Sequence, residues 1–369
     1  MARTAARVRL RRPDRSHASS GVKMRCVKRL QAHGLVPLLV ATEPERNTKM
    51  NQHVRRPWAM ALVALWMIGG WTLQGQERPK VTAAQVDEWM QELSNWGRWG
   101  GDDQLGAVNL ITPAKRRAAL ALATAGEVVS LSLPISVGAP PDNPDSTAAF
   151  TSLRVVDIPS GFLMERQQVA FHGATVSHLD ALCHAHHGGQ IYNGLALEDV
   201  FTEDGCSRMG ISGLAGGIVT RGVLLDIPRL KGLDALETGT HVYPEDIEAW
   251  ERRTGVTVSA GDAIFLRTGR WKNDNRSGYD ITVAPWLKQR DVALVGSDGT
   301  QDVGQIPGTA LPFHKLVLVA LGANIFDNMD LEAVAETAAR LGRWEFLLVA
   351  APIANPGGTG SPLNPLAIF

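Results

Sequence analysis

The stretch "GATVSHLDALCHAHHGG" (residues 173–189) gathers His178, Asp180, Cys183, His184, His186 and His187 among small and apolar residues. In an extended segment, alternate side chains share a face, so His178 and Asp180 point the same way. Imidazole nitrogen and carboxylate oxygen together suit Zn2+ or Mn2+. His184 stands far enough along to turn back as a ligand, or as the base for a water whose pKa a cation lowers. Spacing alone leaves a hydrogen-bonded structural cluster as open as a metal site. An alternating strand would aim Cys183 away from His178 and Asp180, which favours a buried small apolar role for it.

On either side of this stretch the chain alternates helical and strand patterns. "TAAQVDEWMQELSNWGRWG" (82–100) opens at a Thr82 cap with helical spacing at Val86, Met90 and Leu93. "TPAKRRAALALATAG" (112–126) repeats that grammar, with Thr112 as cap, Pro113 at the first position and Gly126 as stop. "EVVSLSLPI" (127–135), "GIVTRGVLLDI" (217–227), "GDAIFLRTG" (261–269), "VALVGSDG" (292–299), "KLVLVALGANIF" (315–326) and "RWEFLLVAAPI" (343–353) have buried-strand composition. "YPEDIEAWERRTG" (243–255) and "DLEAVAETAARLG" (330–342) read as helices, and "GAPPDNPDSTAAF" (138–150) as a loop. Such alternation implies one α/β domain with a mixed sheet.

The 369 residues are 44% hydrophobic, ample for a core, and carry 37 basic against 37 acidic side chains. That balance gives no reason to expect nucleic acid or an acidic membrane as partner. Residues 1–49 are basic and lack apolar periodicity, so they read as a disordered extension. Residues 50–76 contain two arginines, an apolar run broken by Gly69-Gly70, and then small and polar residues. That order is the grammar of a secretory signal, with an uncleaved anchor as its alternative. Residues 77–369 form the expected domain, exported to the periplasm. Cys183 and Cys206 then remain, read as buried free thiols with one disulfide as the alternative.

"TVSHLDALCH" resembles the signature H-x-G-T-H-x-D-x-P-x-H of the cyclase-type metal-dependent hydrolases, the family of bacterial kynurenine formamidase and isatin hydrolase. Further matches follow in order: "NWGRWGGDDQLGAVNLITPAKR" (95–116), "VGSDGTQD" (295–302), "PFHKLVLVALGANIFDNMDLEAVA" (312–335) and "GGTGSPLNP" (357–365). The resemblance implies a swivelling β/β/α domain assembled as a homodimer or homotetramer. It makes His178 and Asp180 metal ligands and His184 the acid/base, and places His314 and Asp327 beside the metal. The first motif histidine is missing: that position is Ala174, and His172, two residues earlier, is the candidate replacement. One divalent ion, Mn2+ or Zn2+, is therefore expected ahead of two.

The activity so implied is hydrolysis of an amide, formamide or lactam C–N bond in a small-molecule substrate. The rivals are a metal-dependent lyase, dehydratase or cyclase, or a non-catalytic binding protein. His186 and His187 are expected at the margin of the site. Trp96, Trp99 and Trp271 are expected in the core more readily than as an aromatic wall. "NPGGTGSP" (355–362) is read as a substrate loop or a plain turn, since no helix pattern follows it for a phosphate cradle.

Overall fold

The structure is a computed structural model that describes residue 78, residues 80–135 and residues 151–369. The extension at 1–49, the signal-like segment at 50–76 and the loop at 138–150 lie outside the described residues. No helix among the described residues is long and apolar enough to cross a membrane.

A nine-stranded mixed sheet organises the molecule. Its centre is four parallel strands in the order Ile218–Asp226, Ala263–Arg267, Leu294–Ser297 and Asn324–Asp327. Ala263–Arg267, Leu294–Ser297 and Asn324–Asp327 are buried at every position, which is why they read as unbroken apolar runs rather than alternating ones. One flank adds Glu345–Ala350, Leu366–Ile368 and Val128–Ser130, all antiparallel. The other adds His178–Asp180 against Asn324–Asp327, and then Gly360–Pro362, again antiparallel. The chain is thus a mixed α/β domain of the expected class.

Helix Ala83–Glu92 starts where Thr82 accepts the Gln85 N–H. Helix Pro113–Leu120 starts where Thr112 accepts the Lys115 N–H, with Pro113 at its first position. It stops at Leu120, not at Gly126 as the pattern suggested. Helix Pro244–Thr254 and the amphipathic helix Glu332–Leu341 stand where their patterns place them. A hairpin of Thr151–Ile158 and Phe162–Val169, unanticipated from the pattern, forms a separate two-stranded sheet.

The apolar run at 315–326 corrects the strand reading. Residues Leu316–Leu321 form a fully buried π-helical turn after helix Pro312–Lys315, and only Asn324–Asp327 is strand. A short apolar run has the same composition in a buried helix and a buried strand, so periodicity could not separate them. The helix is capped by the N-terminal segment. Asn95 N and Asn95 Nδ2 donate to the Ala320 and Leu321 carbonyls, and the Trp96 indole donates to the Val319 carbonyl. Ala107 N donates to the carbonyl of Gly322, which ends the helix at φ 64°. A side chain at Gly106 would have its Cβ 2.1 Å from that same carbonyl oxygen, so only glycine fits the junction.

Cys183 and Cys206 form a disulfide, correcting the free-thiol reading. The strand around Asp180 ends there, and Leu182–His184 is a 3-10 turn, so Cys183 follows no strand alternation and turns towards Cys206.

Candidate metal centre

Strand register builds the site. Asp327 pairs with His178 across one edge of His178–Asp180, and Gly360 pairs with Asp180 across the other. Asp327 lies at the carboxyl end of a parallel strand, the side of an open α/β sheet where ligands gather. The buried helix and the strand after it fold residues 312–327 back on themselves. That turn brings His314 Nε2 within 3.2 Å of Asp327 Oδ2. Had this run been one strand, about 3.3 Å per residue would hold the two far apart.

Asp180 is the hub. His172 Nδ1 lies 3.3 Å and His178 Nε2 3.4 Å from its Oδ1, while His184 Nε2 lies 3.9 Å and His314 Nε2 4.0 Å from its Oδ2. His178 Nε2 is also 3.9 Å from Asp327 Oδ2. All six residues singled out from the sequence therefore converge. Two triads have ligand atoms spaced for a cation: His172, Asp180 and His184, and His178, Asp180 and Asp327.

The free atoms suit a metal. Both carboxylate oxygens of Asp180 and Nδ1 of His172 are buried without a hydrogen-bond partner, a costly state unless something binds them. The 3.3 Å approach between them is not aligned as a hydrogen bond. Three histidines meanwhile have their other ring nitrogen anchored. His178 Nδ1 contacts the Val176 carbonyl at 2.7 Å, His172 Nε2 the Thr359 hydroxyl at 2.9 Å, and His314 Nδ1 Asp302 Oδ2 at 2.5 Å. That arrangement leaves one nitrogen of each ring aimed at Asp180, as metal-ligating histidines are held.

Burial alone would push the Asp180 carboxyl up, but His172, His178, His184 and His314 outweigh it and hold it below the usual carboxylate range. For His184, burial pushes the imidazole down, Asp180 opposes that, and the neighbouring histidines add to it. Burial would also lower His314, yet the carboxylates of Asp327 and Asp302 hold it well above its ordinary value. His184 stacks on His172 with ring centroids 4.1 Å apart, and its side chain is 31% exposed while that of Asp180 is 1% exposed. The His172 side chain is exposed to the same extent, so two stacked imidazoles open to an incoming molecule border the buried carboxylate.

Sequence reasoning missed three supports. Asp302 was inside a quoted match, "VGSDGTQD", but its role depends on a turn no pattern showed. Gln301 Nε2 donates to Asp327 Oδ1 at 3.0 Å, and Thr359 comes from the glycine-rich C-terminal segment. That segment is neither a phosphate cradle nor a plain turn, for Gly360–Pro362 is the sheet's edge strand beside Asp180. His186 is exposed and His187 pairs with Asp87 at 2.8 Å, both away from the hub as expected. The indoles of Trp96 and Trp271 donate to the Val319 and Met329 carbonyls. A cleft of about 1230 Å3, lined by His241, Tyr243, Asp280 and Gln305 among others, touches the cluster's surroundings only through Asp302, Pro312 and Phe313.

The Cyclase family model matches residues 129–301. A solved structure described as a novel cyclase is 30% identical, with 76% of this chain and 99% of that one covered and a TM-score of 0.69. The chain belongs to the cyclase family. An isatin hydrolase bound to the product analogue thioisatinate is also similar, at 18% identity, covering 70% of this chain and 99% of that one, with a TM-score of 0.48. No curated protein sequence matches. In this cyclase-family chain His172, two residues before Ala174, has its Nδ1 3.3 Å from Asp180 Oδ1.

Proposed function

We propose that the chain is a divalent-metal-dependent hydrolase that opens an amide, formamide or lactam C–N bond in a small molecule. The observation that carries this reading is Asp180: a buried carboxylate with both oxygens unpartnered, ringed by four imidazoles and beside Asp327. His178, Asp180 and Asp327, with His172, would hold the cation, Mn2+ or Zn2+. When bound, such an ion polarises a substrate carbonyl and acidifies water.

The chain's own residues do the rest. His184 has its pKa lowered by burial, so it is neutral near pH 7 and accepts the proton of the attacking water. It then returns that proton to the departing nitrogen, which leaves as a neutral amine. Its partial exposure puts the proton-transfer group at the mouth of the site and the carboxylates behind it. His314, fixed between Asp302 and Asp327, holds the position of the Asp327 carboxylate.

The test is a substrate screen of the protein loaded with Mn2+ or Zn2+, using N-formyl aromatic amines, isatin-type lactams and simple lactones. Metal-dependent release of a carboxylate from a formamide or lactam supports the proposal. Metal-independent turnover, or turnover only by elimination, overturns it.

A further inference from the structure

The loop after strand Leu294–Ser297 reaches the metal centre through two consecutive residues that lie outside the ligand set. Gln301 donates its amide to Asp327 Oδ1 at 3.0 Å and to the Phe326 carbonyl at 2.9 Å. Asp302 holds the turn carrying His314 through three contacts, two of them to His314 itself. Its Oδ2 lies 2.5 Å from His314 Nδ1 and accepts the His314 backbone N–H at 3.2 Å, while its Oδ1 accepts the Phe313 N–H at 2.8 Å. Ring and backbone are thus fixed by one carboxylate.

The backbone between these grips is unusual. Gln301 has φ 60°, in the left-handed region that a side-chain-bearing residue occupies at a cost of about 1 kcal/mol or more. In a regular strand, successive side chains point to opposite faces. Here the left-handed turn instead lets neighbours grip Asp327 and His314, which lie 3.2 Å apart at their nearest atoms. The other anchored histidines receive only neutral partners, a carbonyl for His178 and a hydroxyl for His172. His314 alone of the three receives a carboxylate, the stronger partner.

We propose that Gln301 and Asp302 are positioning residues that hold Asp327 and His314 in register at the metal centre, with Asp302 setting the direction of His314 Nε2. The inference rests on the metal-dependent reading above. It predicts that the strained turn is retained for that grip.

The test is Co2+ binding followed by its visible absorption bands, with folding checked by circular dichroism. Asp302→Asn keeps an oxygen for the backbone N–H groups but loses the charge facing His314. It is expected to weaken Co2+ binding roughly tenfold to a hundredfold and to change the band shape. Placed on a His314→Ala background, the same substitution should add little, because its effect runs through that ring. If Asp302→Asn fails to fold, Gln301→Leu gives the companion measurement, with weakened binding again expected. Wild-type affinity and bands in the folded variants, or losses that simply add in the double variant, overturn the proposal. A wild-type protein that takes up no Co2+ overturns the metal-dependent reading itself, which is a different outcome.

Discussion

His172 Nδ1 lies 3.3 Å from Asp180 Oδ1, and the same ring stacks on His184 at 4.1 Å. A residue outside the expected motif spacing therefore faces both the central carboxylate and the candidate base. Thr359, from the opposite end of the domain's sequence, holds its far nitrogen. These contacts make His172 the candidate to stand in for the motif histidine absent at Ala174.

His172→Ala should therefore weaken Mn2+ or Zn2+ binding by about tenfold or more, or roughly 1.4 kcal/mol. Isothermal titration on folded protein measures this directly. Unchanged affinity would remove His172 from the ligand set.

Asp180→Ala deletes the shared partner of four histidines. Bound metal, measured by elemental analysis after dialysis, should vanish, and turnover should fall by more than about a hundredfold. Helical circular dichroism should persist, because the surrounding strand is held by its main-chain pairing and by Asn324, whose amide donates to the Asp180 carbonyl. Retention of metal and activity together would refute the site.

The pH profile follows from His184. Burial lowers its pKa below the ordinary 6.5, so the neutral, proton-accepting form persists further into acid than a free imidazole would. A nearby cation would push it in the same direction. The acid limb of kcat/KM should accordingly have its midpoint below 6.5, and a limb above that value would exclude His184 as the base. Metal uptake carries a separate signature. His314 is held protonated by Asp302 and Asp327, so any cation displacing that proton should bind more tightly as pH rises, with measurable proton release.

The disulfide ties the turn carrying His184 to the strand Gly205–Cys206, whose Cys206 N–H also donates to the Gly357 carbonyl. Closing a loop with a sequence separation of 23 is worth about 3 kcal/mol in the unfolded-chain estimate. Cys206→Ser should lower the unfolding free energy by about that amount in denaturant titration. A variant as stable as the parent under non-reducing conditions would show that the bond contributes nothing.

Much of the fold was legible because buried strands and capped helices leave local signatures. Thr82 and Thr112 cap helices as their positions imply, and the strands at 218–226, 263–267 and 294–297 lie within the runs that suggested them. The run at 315–326 was misread because local composition does not reveal what lies on each side of a fully buried segment. Asn95, Trp96 and Ala107 supply the hydrogen bonds that let it end as a helix, and they are more than two hundred residues away in sequence.

By itself, the sequence determined which residues carry chemistry: His172, His178, Asp180, His184, His314 and Asp327 have side chains that bind cations or move protons. Tertiary structure alone decided that they meet around Asp180, that His172 reaches it from outside the motif spacing, and that Gln301 and Asp302 secure Asp327 and His314. The physical reason is range. Side-chain chemistry and capping act within a few residues, whereas strand register and buried hydrogen bonds join segments that the sequence holds far apart.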